Sequence, residues 1–337
     1  MGIWKGFLLY NALNPVRALL SQIIARVRHG EAVALCTVVR ARGSTPQDAG
    51  AAMLVLADGK TVGTLGGGCV EAEVRVRAQK LMGESKNQLF TFRLDHDFGW
   101  DDGLVCGGTM DIAVQVIGSP REVEPMEKMM ETLGAGGEAS WVIEVTDEQS
   151  RPARFEMALS PTPCLVIAGA GHVGQALAEL AGRLDFRVAV IDDRADYASS
   201  ERLPGARCII GEIEQELARF PIDRHTYVVI VTRGHKHDGR ALLAVVNSPA
   251  KYVGLIGSKR KVHTIFEDLQ KRGVSREALA KVHAPIGLEI GAATPPEIAV
   301  SIAAELVAVR RGRGGLAATP MKISEGQFDR WLGGGKE

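Results

Sequence analysis

The stretch that decides the fold of the C-terminal half is LVIAGAGHVG, residues 165–174. Its apolar start, residues 165–168, predicts a buried strand, and the three glycines that follow predict a tight turn into a helix. Residues 172–184 then place apolar side chains on one helical face, so we expect this helix to pack against a sheet.

Strands and helices alternate from this stretch onward. This alternation predicts an α/β fold class, with a Rossmann-like, doubly wound parallel sheet in the C-terminal half. The predicted strands are residues 165–168, 188–191, 208–210, 227–231 and 252–256. The predicted helices are residues 172–184, 214–220, 239–246 and 260–272, followed by a last helix after Thr294.

The first half of the chain predicts a mixed α+β domain. β-Rich runs such as residues 32–39 and 53–56 are interspersed with segments of helical periodicity. Pro161 and Pro163 then mark a boundary before the alternating half. The expected divisions are an N-terminal domain at residues 14–160, a C-terminal domain at residues 161–312 and a tail at residues 313–337.

Charge and composition exclude several classes of partner. The chain has 337 residues with 40 Lys plus Arg and 40 Asp plus Glu, so no net charge attracts it to nucleic acid or an acidic membrane. The apolar patch at residues 7–10 is too short to span a membrane. Five cysteines at irregular spacing predict reduced thiols, and we therefore expect a cytoplasmic protein.

The glycine motif of the C-terminal half has the spacing of a dinucleotide-binding loop, in which main-chain N–H groups at a helix start bind a phosphate. Asp192 comes about twenty residues later, where such folds bind a ribose hydroxyl. A second interpretation stays open, in which the fold has lost its nucleotide and the glycines only shape the turn. The candidate binding residues of this motif are Gly169, Gly171, His172, Gly174 and Asp192.

Further polar residues follow the fourth and fifth predicted strands, at the edge where open α/β sheets bind ligands. Their shared position makes them candidate ligand contacts, although solvated side chains and helix caps would give the same pattern. His235, His237 and Asp238 lack a further strong ligand at metal spacing, so we expect hydrogen bonding there rather than zinc binding. The candidates at this edge are His235, Asp238, Ser258, Lys259 and Arg260.

The first half contains another glycine-rich loop, GTLGGGCVE, at residues 63–71. Cys69 should lie near a helix N-terminus, where the dipole favours a thiolate, and a thiolate is a soft ligand for a thiophilic metal. The alternative is that Cys69 and Cys106 are small buried residues. Glu71 either complements the helix dipole or contacts a ligand. The candidate binding residues here are Gly66, Gly67, Gly68, Cys69, Glu71 and Cys106.

Together these segments resemble the xanthine dehydrogenase accessory factor family, also written XdhC/CoxI. The loop that carries Cys69 and the segment before the last helix are the specific parts of this resemblance, whereas the glycine motif at residues 169–174 alone would not be. The resembling segments, in the expected order, are residues 43–46, 63–71, 105–108, 167–174, 232–238, 252–261 and 285–298.

The resemblance implies a molybdenum cofactor chaperone, an accessory factor with no turnover of its own. Such a protein binds molybdopterin or its dinucleotide form, shields it, and delivers it to a molybdenum hydroxylase of the xanthine dehydrogenase type, while a cysteine desulfurase supplies sulfur. The cofactor's phosphate matches the two glycine loops, which suggests one large ligand held between two domains. Its molybdenum is thiophilic, which matches Cys69 and Cys106. We also expect self-association as a homodimer, to cover the last helix.

Two other functions stay open. An NAD(P)-dependent oxidoreductase would use residues 169–174 and Asp192, but the sequence offers no evident proton-transfer pair in a substrate domain. A regulatory module that senses a nucleotide would leave the loop carrying Cys69 unexplained.

Overall fold

The computed structural model describes residues 15–94 and 107–312, which divide into two compact units with a boundary between Thr162 and Pro163. Each unit has its own sheet with apolar clusters on both faces. No helix within these residues combines the length and the apolar character that crossing a membrane requires.

The N-terminal unit is a mixed α+β unit, as the sequence predicts. Its helices in the described residues are α1 (Pro15–Arg28), α2 (Gly68–Glu84) and α3 (Pro120–Gly134). Its strands there are β1 (Val33–Arg42), β2 (Ala52–Leu56), β3 (Thr61–Gly63), β4 (Gln88–Arg93), β5 (Thr109–Ile117), β6 (Ala139–Thr146) and β7 (Pro152–Leu159). These strands form one sheet in the order β3-β2-β1-β5-β4-β6-β7, in which β4 and β6 run parallel and the other neighbours antiparallel.

Side-chain alternation along β1 explains the three layers of this unit. Val33 and Leu35 face one way and pack in the cluster that includes residues of α1 and α3. Ala34 and Cys36 face the other way and pack with the buried side of α2. Because successive strand residues point to opposite faces, a continuous apolar run such as residues 33–36 requires helices on both sides of the sheet.

The C-terminal unit has the predicted Rossmann-like, doubly wound parallel sheet. Its strands in the described residues are β8 (Cys164–Ala168), β9 (Arg187–Asp192), β10 (Arg207–Ile210), β11 (Thr226–Ile230) and β12 (Tyr252–Leu255). Its helices there are α4 (His172–Arg183), α5 (Ile213–Arg219), α6 (His235–Val245), α7 (Lys259–Lys271), α8 (Arg276–Leu279) and α9 (Pro295–Arg310). The strand order is β10-β9-β8-β11-β12 with parallel pairing throughout.

Helices cover both faces of this sheet. The clusters place α4 and α9 on one face and α5, α6 and α7 on the other. The strand order reverses between β8 and β11, so the loops that follow these two strands flank the crevice in which such sheets bind ligands.

Two features of this unit differ from the sequence-based expectation or lie beyond it. Helix α6 begins at His235 rather than at residue 239, because Gly234 takes φ 90° at the cap and turns the chain directly into the helix. The carboxylate of Glu305 in α9 lies 2.8 Å from Nδ1 of His283 and accepts hydrogen bonds from the Tyr252 hydroxyl (2.6 Å) and the Gly287 N–H (2.7 Å). These contacts fix residues 283–287 against α9.

Candidate functional site

The N-terminal unit brings three glycine-containing segments together: residues 43–46, the loop at residues 63–71, and residues 107–108. Ser44 and Gly107 form a β-bridge, and a Cβ added to Gly108 would lie 2.2 Å from the Ser44 carbonyl oxygen. In the same way, a Cβ added to Gly66 would lie 2.6 Å from Cβ of Pro46. Glycine is therefore required at these positions by close packing between loops that are far apart in the sequence.

Glu71 fixes the conformation of the loop at residues 63–71 through hydrogen bonds. Its Oε1 accepts hydrogen bonds from the N–H groups of Leu65 and Gly67, both at 2.8 Å, and from the Thr64 hydroxyl. Burial alone would raise the pKa of the Glu71 carboxyl, but these hydrogen bonds outweigh it and hold the pKa below its ordinary value. The N–H groups of Leu65 and Gly67 are thus bound to a carboxylate of the chain itself, a use that the sequence did not reveal.

Two other glycines in this region serve a different purpose. Gly67 and Gly68 have positive φ, and a Cβ at either would meet no atom of the described residues within 4 Å. The φ angles require glycine, yet no neighbour within residues 15–94 and 107–312 does, so no described side chain covers the main chain there. Cys69 follows directly as the second residue of α2 and is half-buried. In this loop, main-chain atoms that no described side chain covers therefore lie next to the Cys69 thiol at the start of α2.

The described cysteines differ in their surroundings. Cys36 is fully buried in the sheet, and burial raises the pKa of its thiol. Cys164 and Cys208 are half-buried beside the apolar clusters of the C-terminal unit; burial raises the pKa of Cys164 to about 11 and also raises that of Cys208. The candidate Cys106 lies outside the described residues, next to Gly107.

In the C-terminal unit the glycine turn meets the loop after β11. Gly169 has φ 114°, and a Cβ there would lie 2.6 Å from the Val231 carbonyl oxygen. A Cβ at Gly174 would lie 2.0 Å from the Gly169 carbonyl oxygen, so α4 approaches the turn as closely as main-chain atoms allow. Gly171 is the cap of α4, and His172 is exposed at its first residue. The loops at the reversal of strand order therefore touch.

Asp192 lies at the end of β9, as the sequence predicts, and is bonded to its own chain. Its Oδ2 accepts hydrogen bonds from the Ala170 N–H (2.7 Å) and the Arg194 side chain, and its Oδ1 accepts from the Arg194 main chain and side chain. Burial would raise the pKa of Asp192, but these hydrogen bonds lower it to about 2. The glycine motif does not indicate that Arg194 is the partner of Asp192.

Asp238 is fully buried and joins two sequence motifs. It accepts a hydrogen bond from the Thr232 hydroxyl at 2.5 Å and pairs with the ammonium group of Lys261. Thr232 follows β11 and Lys261 lies in the first turn of α7, so this carboxylate holds both loops at the carboxyl edge of the sheet. Its contacts in the structure are with other residues of the chain, and its pairing with Lys261 was not predicted from the sequence.

The remaining candidates at this edge lie on the surface or outside the described side chains. Ser258 caps α7 by accepting the Lys261 N–H, and Ser258, Lys259 and Arg260 are exposed. His235 is the first residue of α6, and its side chain lies outside the described part of the structure. Within residues 15–94 and 107–312, side chains of His, Cys, Asp and Glu form no group of three or more that could hold a metal ion.

Two family models match the chain. The model described as the XdhC and CoxI family matches residues 26–93, which include the loop that carries Cys69 and Glu71. The model described as the XdhC Rossmann domain matches residues 165–306, which include the glycine turn, Asp192 and Asp238. The two matches follow the two units of the structure.

Several curated proteins are similar to the chain over most of its length. "Uncharacterized protein YqeB" of Escherichia coli (strain K12) is 32% identical over 298 residues, 88% of this chain and 47% of that protein, so the chain spans about half the length of this relative. A probable xanthine dehydrogenase subunit of Bacillus subtilis (strain 168) is 27% identical over 318 residues, 83% of this chain and 94% of that protein. The "Molybdenum cofactor insertion chaperone PaoD" of E. coli (strain K12) is 26% identical over 305 residues, 87% and 88% respectively.

A solved structure has the same fold. The crystal structure of a xanthine dehydrogenase from Bacillus halodurans matches with a TM-score of 0.75 and 24% sequence identity, covering 89% of this chain and 98% of that one. At this level of identity the similarity bears on the fold alone.

Proposed function

Because this chain belongs to the XdhC and CoxI family, we propose that it is a molybdenum cofactor chaperone. It binds the cofactor, protects it, supports its sulfuration and delivers it to a molybdenum hydroxylase of the xanthine dehydrogenase type. Relatives whose names refer to xanthine dehydrogenase and to molybdenum cofactor insertion support this proposal. On this proposal the cofactor is cargo, and the chain itself catalyses no turnover.

The observation that carries the proposal is the bare main chain beside Cys69. Gly67 and Gly68 have positive φ and no described residue within 4 Å of an added Cβ, so a ligand can approach the backbone more closely than any side chain would allow. The first N–H groups of α2 have no partner within the helix and favour an anionic group. A phosphorylated pterin has both a flat ring system and a phosphate that suit such a surface.

Cys69 supplies the second part of the fit. Molybdenum in the cofactor is bound by sulfur, and a thiolate is the protein ligand that suits such a metal. Cys69 is half-buried at a helix start, whereas Cys36 is sealed in the core, so Cys69 is the better placed of these two thiols. Cys106, beside Gly107, is the second thiol that we propose for this role.

The C-terminal unit would contribute charge to phosphate binding. Gly169, Gly171 and Gly174 shape the turn before α4, and Lys259 and Arg260 are exposed at the start of α7. Main-chain N–H groups and cations at the carboxyl edge of a parallel sheet are a common anion-binding arrangement. This edge is therefore a second candidate, besides the start of α2, for binding the phosphate of the cofactor in its molybdopterin or dinucleotide form.

The proposed partners follow from the cargo. A molybdenum hydroxylase receives the cofactor, and a cysteine desulfurase provides the sulfur for its sulfido ligand. The expected homodimer stays a proposal, but the reason given for it is wrong, because the apolar side of α9 packs against the sheet and α4 within the chain. These contacts would be tested by co-purification of the tagged full chain with each candidate partner from cells that synthesise the cofactor.

The cofactor content of cysteine variants tests the proposal. The full chain and the variants Cys69→Ala and Cys208→Ala are purified from cells that make molybdopterin, and molybdenum and pterin are measured per chain. We expect wild type and Cys208→Ala to carry both, because Cys208 lies in the other unit beside an apolar cluster. We expect Cys69→Ala to carry severalfold less molybdenum.

Two results would contradict the proposal at different points. Wild-type chain that carries neither molybdenum nor pterin, under conditions that load a known chaperone, would remove the function. A Cys69→Ala/Cys106→Ala double variant that binds and delivers the cofactor normally would show that the two thiols have no role, without contradicting the chaperone function.

A further inference from the structure

Asp192 occupies the position that defines cofactor choice in dinucleotide-binding folds. It ends the second strand after the glycine turn, where an acidic side chain accepts hydrogen bonds from the hydroxyls of a ribose. For that role at least one carboxylate oxygen must have a free lone pair that faces the ligand. The contacts of Asp192 do not meet this condition.

All acceptor sites of this carboxylate are filled by the chain. A carboxylate offers about four lone-pair sites. Oδ1 accepts from the Arg194 N–H (3.0 Å) and Nε (2.7 Å), and Oδ2 accepts from the Ala170 N–H (2.7 Å) and a terminal guanidinium nitrogen of Arg194 (2.8 Å). Asp192 is also 1% exposed, so no ribose hydroxyl can reach it while Arg194 stays in place.

Arg194 is held in place by more than this pair. Its guanidinium carbon lies 3.7 Å from the centre of the Tyr197 ring, a cation–π distance, and Nε lies 3.9 Å from Oδ1 of Asp193. Opening a bidentate arginine–carboxylate pair that is stacked on an aromatic ring costs more free energy than opening a surface ion pair. The closed arrangement is therefore a built feature of the site.

We infer that Arg194 is a specificity-determining residue that closes Asp192 to ribose hydroxyls and so excludes NAD from this Rossmann unit. A ligand of the unit must then be recognised through the glycine turn and the cations of the sheet edge, which bind phosphate. This role of Arg194 is independent of the proposed function, since its test uses nicotinamide dinucleotides and no molybdenum cofactor.

The test is a gain of binding. NADH is titrated into the wild-type full chain and into Arg194→Met, whose side chain has similar length but no donors. We expect wild type to bind NADH weakly and Arg194→Met to bind it about tenfold more tightly or better, the effect of one hydrogen bond to a charged acceptor. The double variant Asp192→Asn/Arg194→Met should lose most of the gained affinity, because the amide replaces the charged carboxylate by one neutral acceptor oxygen.

Arg202→Met is the matched control. Arg202 lies over the same Tyr197 ring, with its guanidinium carbon 4.4 Å from the ring centre, and bonds to Gln175 rather than to Asp192. This variant should bind NADH no better than wild type. Circular dichroism checks that each variant is folded, and Arg194→Leu, which also has no donors, replaces Arg194→Met if the latter is not.

Three results would overturn the inference. Wild type that binds NADH as tightly as Arg194→Met would show that Arg194 does not block the site. Folded Arg194→Met and Arg194→Leu that gain nothing would show that Asp192 is not the acceptor that matters. Wild type that binds NADPH and loses it in Arg194→Met would make Arg194 a recognition residue for a 2′-phosphate instead of a block.

Discussion

A single oxygen of Glu71 accepts two main-chain N–H groups and one hydroxyl, so the charge of this side chain sets the shape of residues 64–67. Those residues lie immediately before Gly68 and Cys69, the part of the loop assigned to the cofactor. The carboxylate therefore acts on the thiol through the main chain, by fixing where α2 begins.

Removal of this carboxylate should destabilise the N-terminal unit and leave an anion site behind. We expect Glu71→Ala to lower the free energy of unfolding by about 2 kcal/mol and Glu71→Gln, which keeps an oxygen acceptor, by about 1 kcal/mol. Added formate should raise the melting temperature of Glu71→Ala, because it supplies the missing carboxylate. Urea and thermal unfolding measure both effects.

Glu73→Ala is the control for this experiment. Glu73 lies on the same helix and pairs with Arg77 near the surface, so its loss should cost under about 1 kcal/mol and formate should not restore it. Formate that stabilises wild type, Glu73→Ala and Glu71→Ala equally would contradict the role of Glu71.

The buried carboxylate of Asp192 should make the C-terminal unit sensitive to acid. Burial opposes ionisation, but hydrogen bonds from Arg194 and Ala170 lower its pKa from 3.8 to about 2, so its contribution is complete above pH 3.8 and disappears as the pH falls through 2. We expect wild type to lose about 2 kcal/mol more than Asp192→Asn between those limits. Urea unfolding at a series of pH values measures this, and parallel pH profiles would contradict it.

The sequence predicts where these carboxylates lie but not what they bind. The distance from the glycine turn predicts the position of Asp192, and helical periodicity places Glu71 in the first turn of a helix. Their partners Arg194, Ala170, Leu65 and Gly67 become visible only in the structure, because residue spacing does not tell whether a carboxylate faces a ligand or its own main chain. Asp238 illustrates the same limit, since Lys261 pairs with it from another helix.

At the scale of elements, loops that are far apart in sequence are locked by glycine contacts. The start of β5 packs against the segment after β1 through Gly108, whose added Cβ would lie 2.2 Å from the Ser44 carbonyl oxygen and 2.8 Å from that of Arg42. This packing places Gly107 beside the region of residues 43–46.

Gly108→Ala should therefore be more harmful than an alanine in open space. We expect it to lower the free energy of unfolding by about 2–3 kcal/mol, since main-chain oxygens cannot move aside as side chains do. Gly134→Ala is the control: Gly134 ends α3, no atom of the described residues lies within 4 Å of an added Cβ, and alanine should be neutral or favourable there. Equal denaturation midpoints for the two variants would refute the close packing at Gly108.

Most elements can be predicted from periodicity, and their ends cannot. The alternation after residue 165 predicts the strands and helices of the parallel sheet, because buried strands and amphipathic helices differ in apolar period. The predicted start of α6 is wrong because residues 235–238 are polar and Gly239 resembles a helix boundary, whereas the turn depends on Gly234. The attachment of residues 283–287 to Glu305 is not predicted, since it joins segments without a common pattern.

At the scale of the whole molecule, each unit contains its own apolar clusters. We therefore expect residues 163–312 expressed alone to unfold cooperatively, with a single calorimetric transition and slow amide exchange in β8, β9 and β11. A broad transition with binding of a hydrophobic dye would contradict this expectation, because it would mean that the sheet needs the other unit to pack.

The family and the two-unit plan can be predicted from the order of the motifs, since the resembling segments run through both halves. The order of the motifs and the fold of the two sheets do not identify the bound molecule, so the cargo must be measured directly. Native mass spectrometry of the full chain, purified from cells that make the molybdenum cofactor, is the most direct one. We predict a bound mass that contains a pterin and molybdenum; bare polypeptide, or a bound nicotinamide dinucleotide in its place, would contradict the proposed cargo.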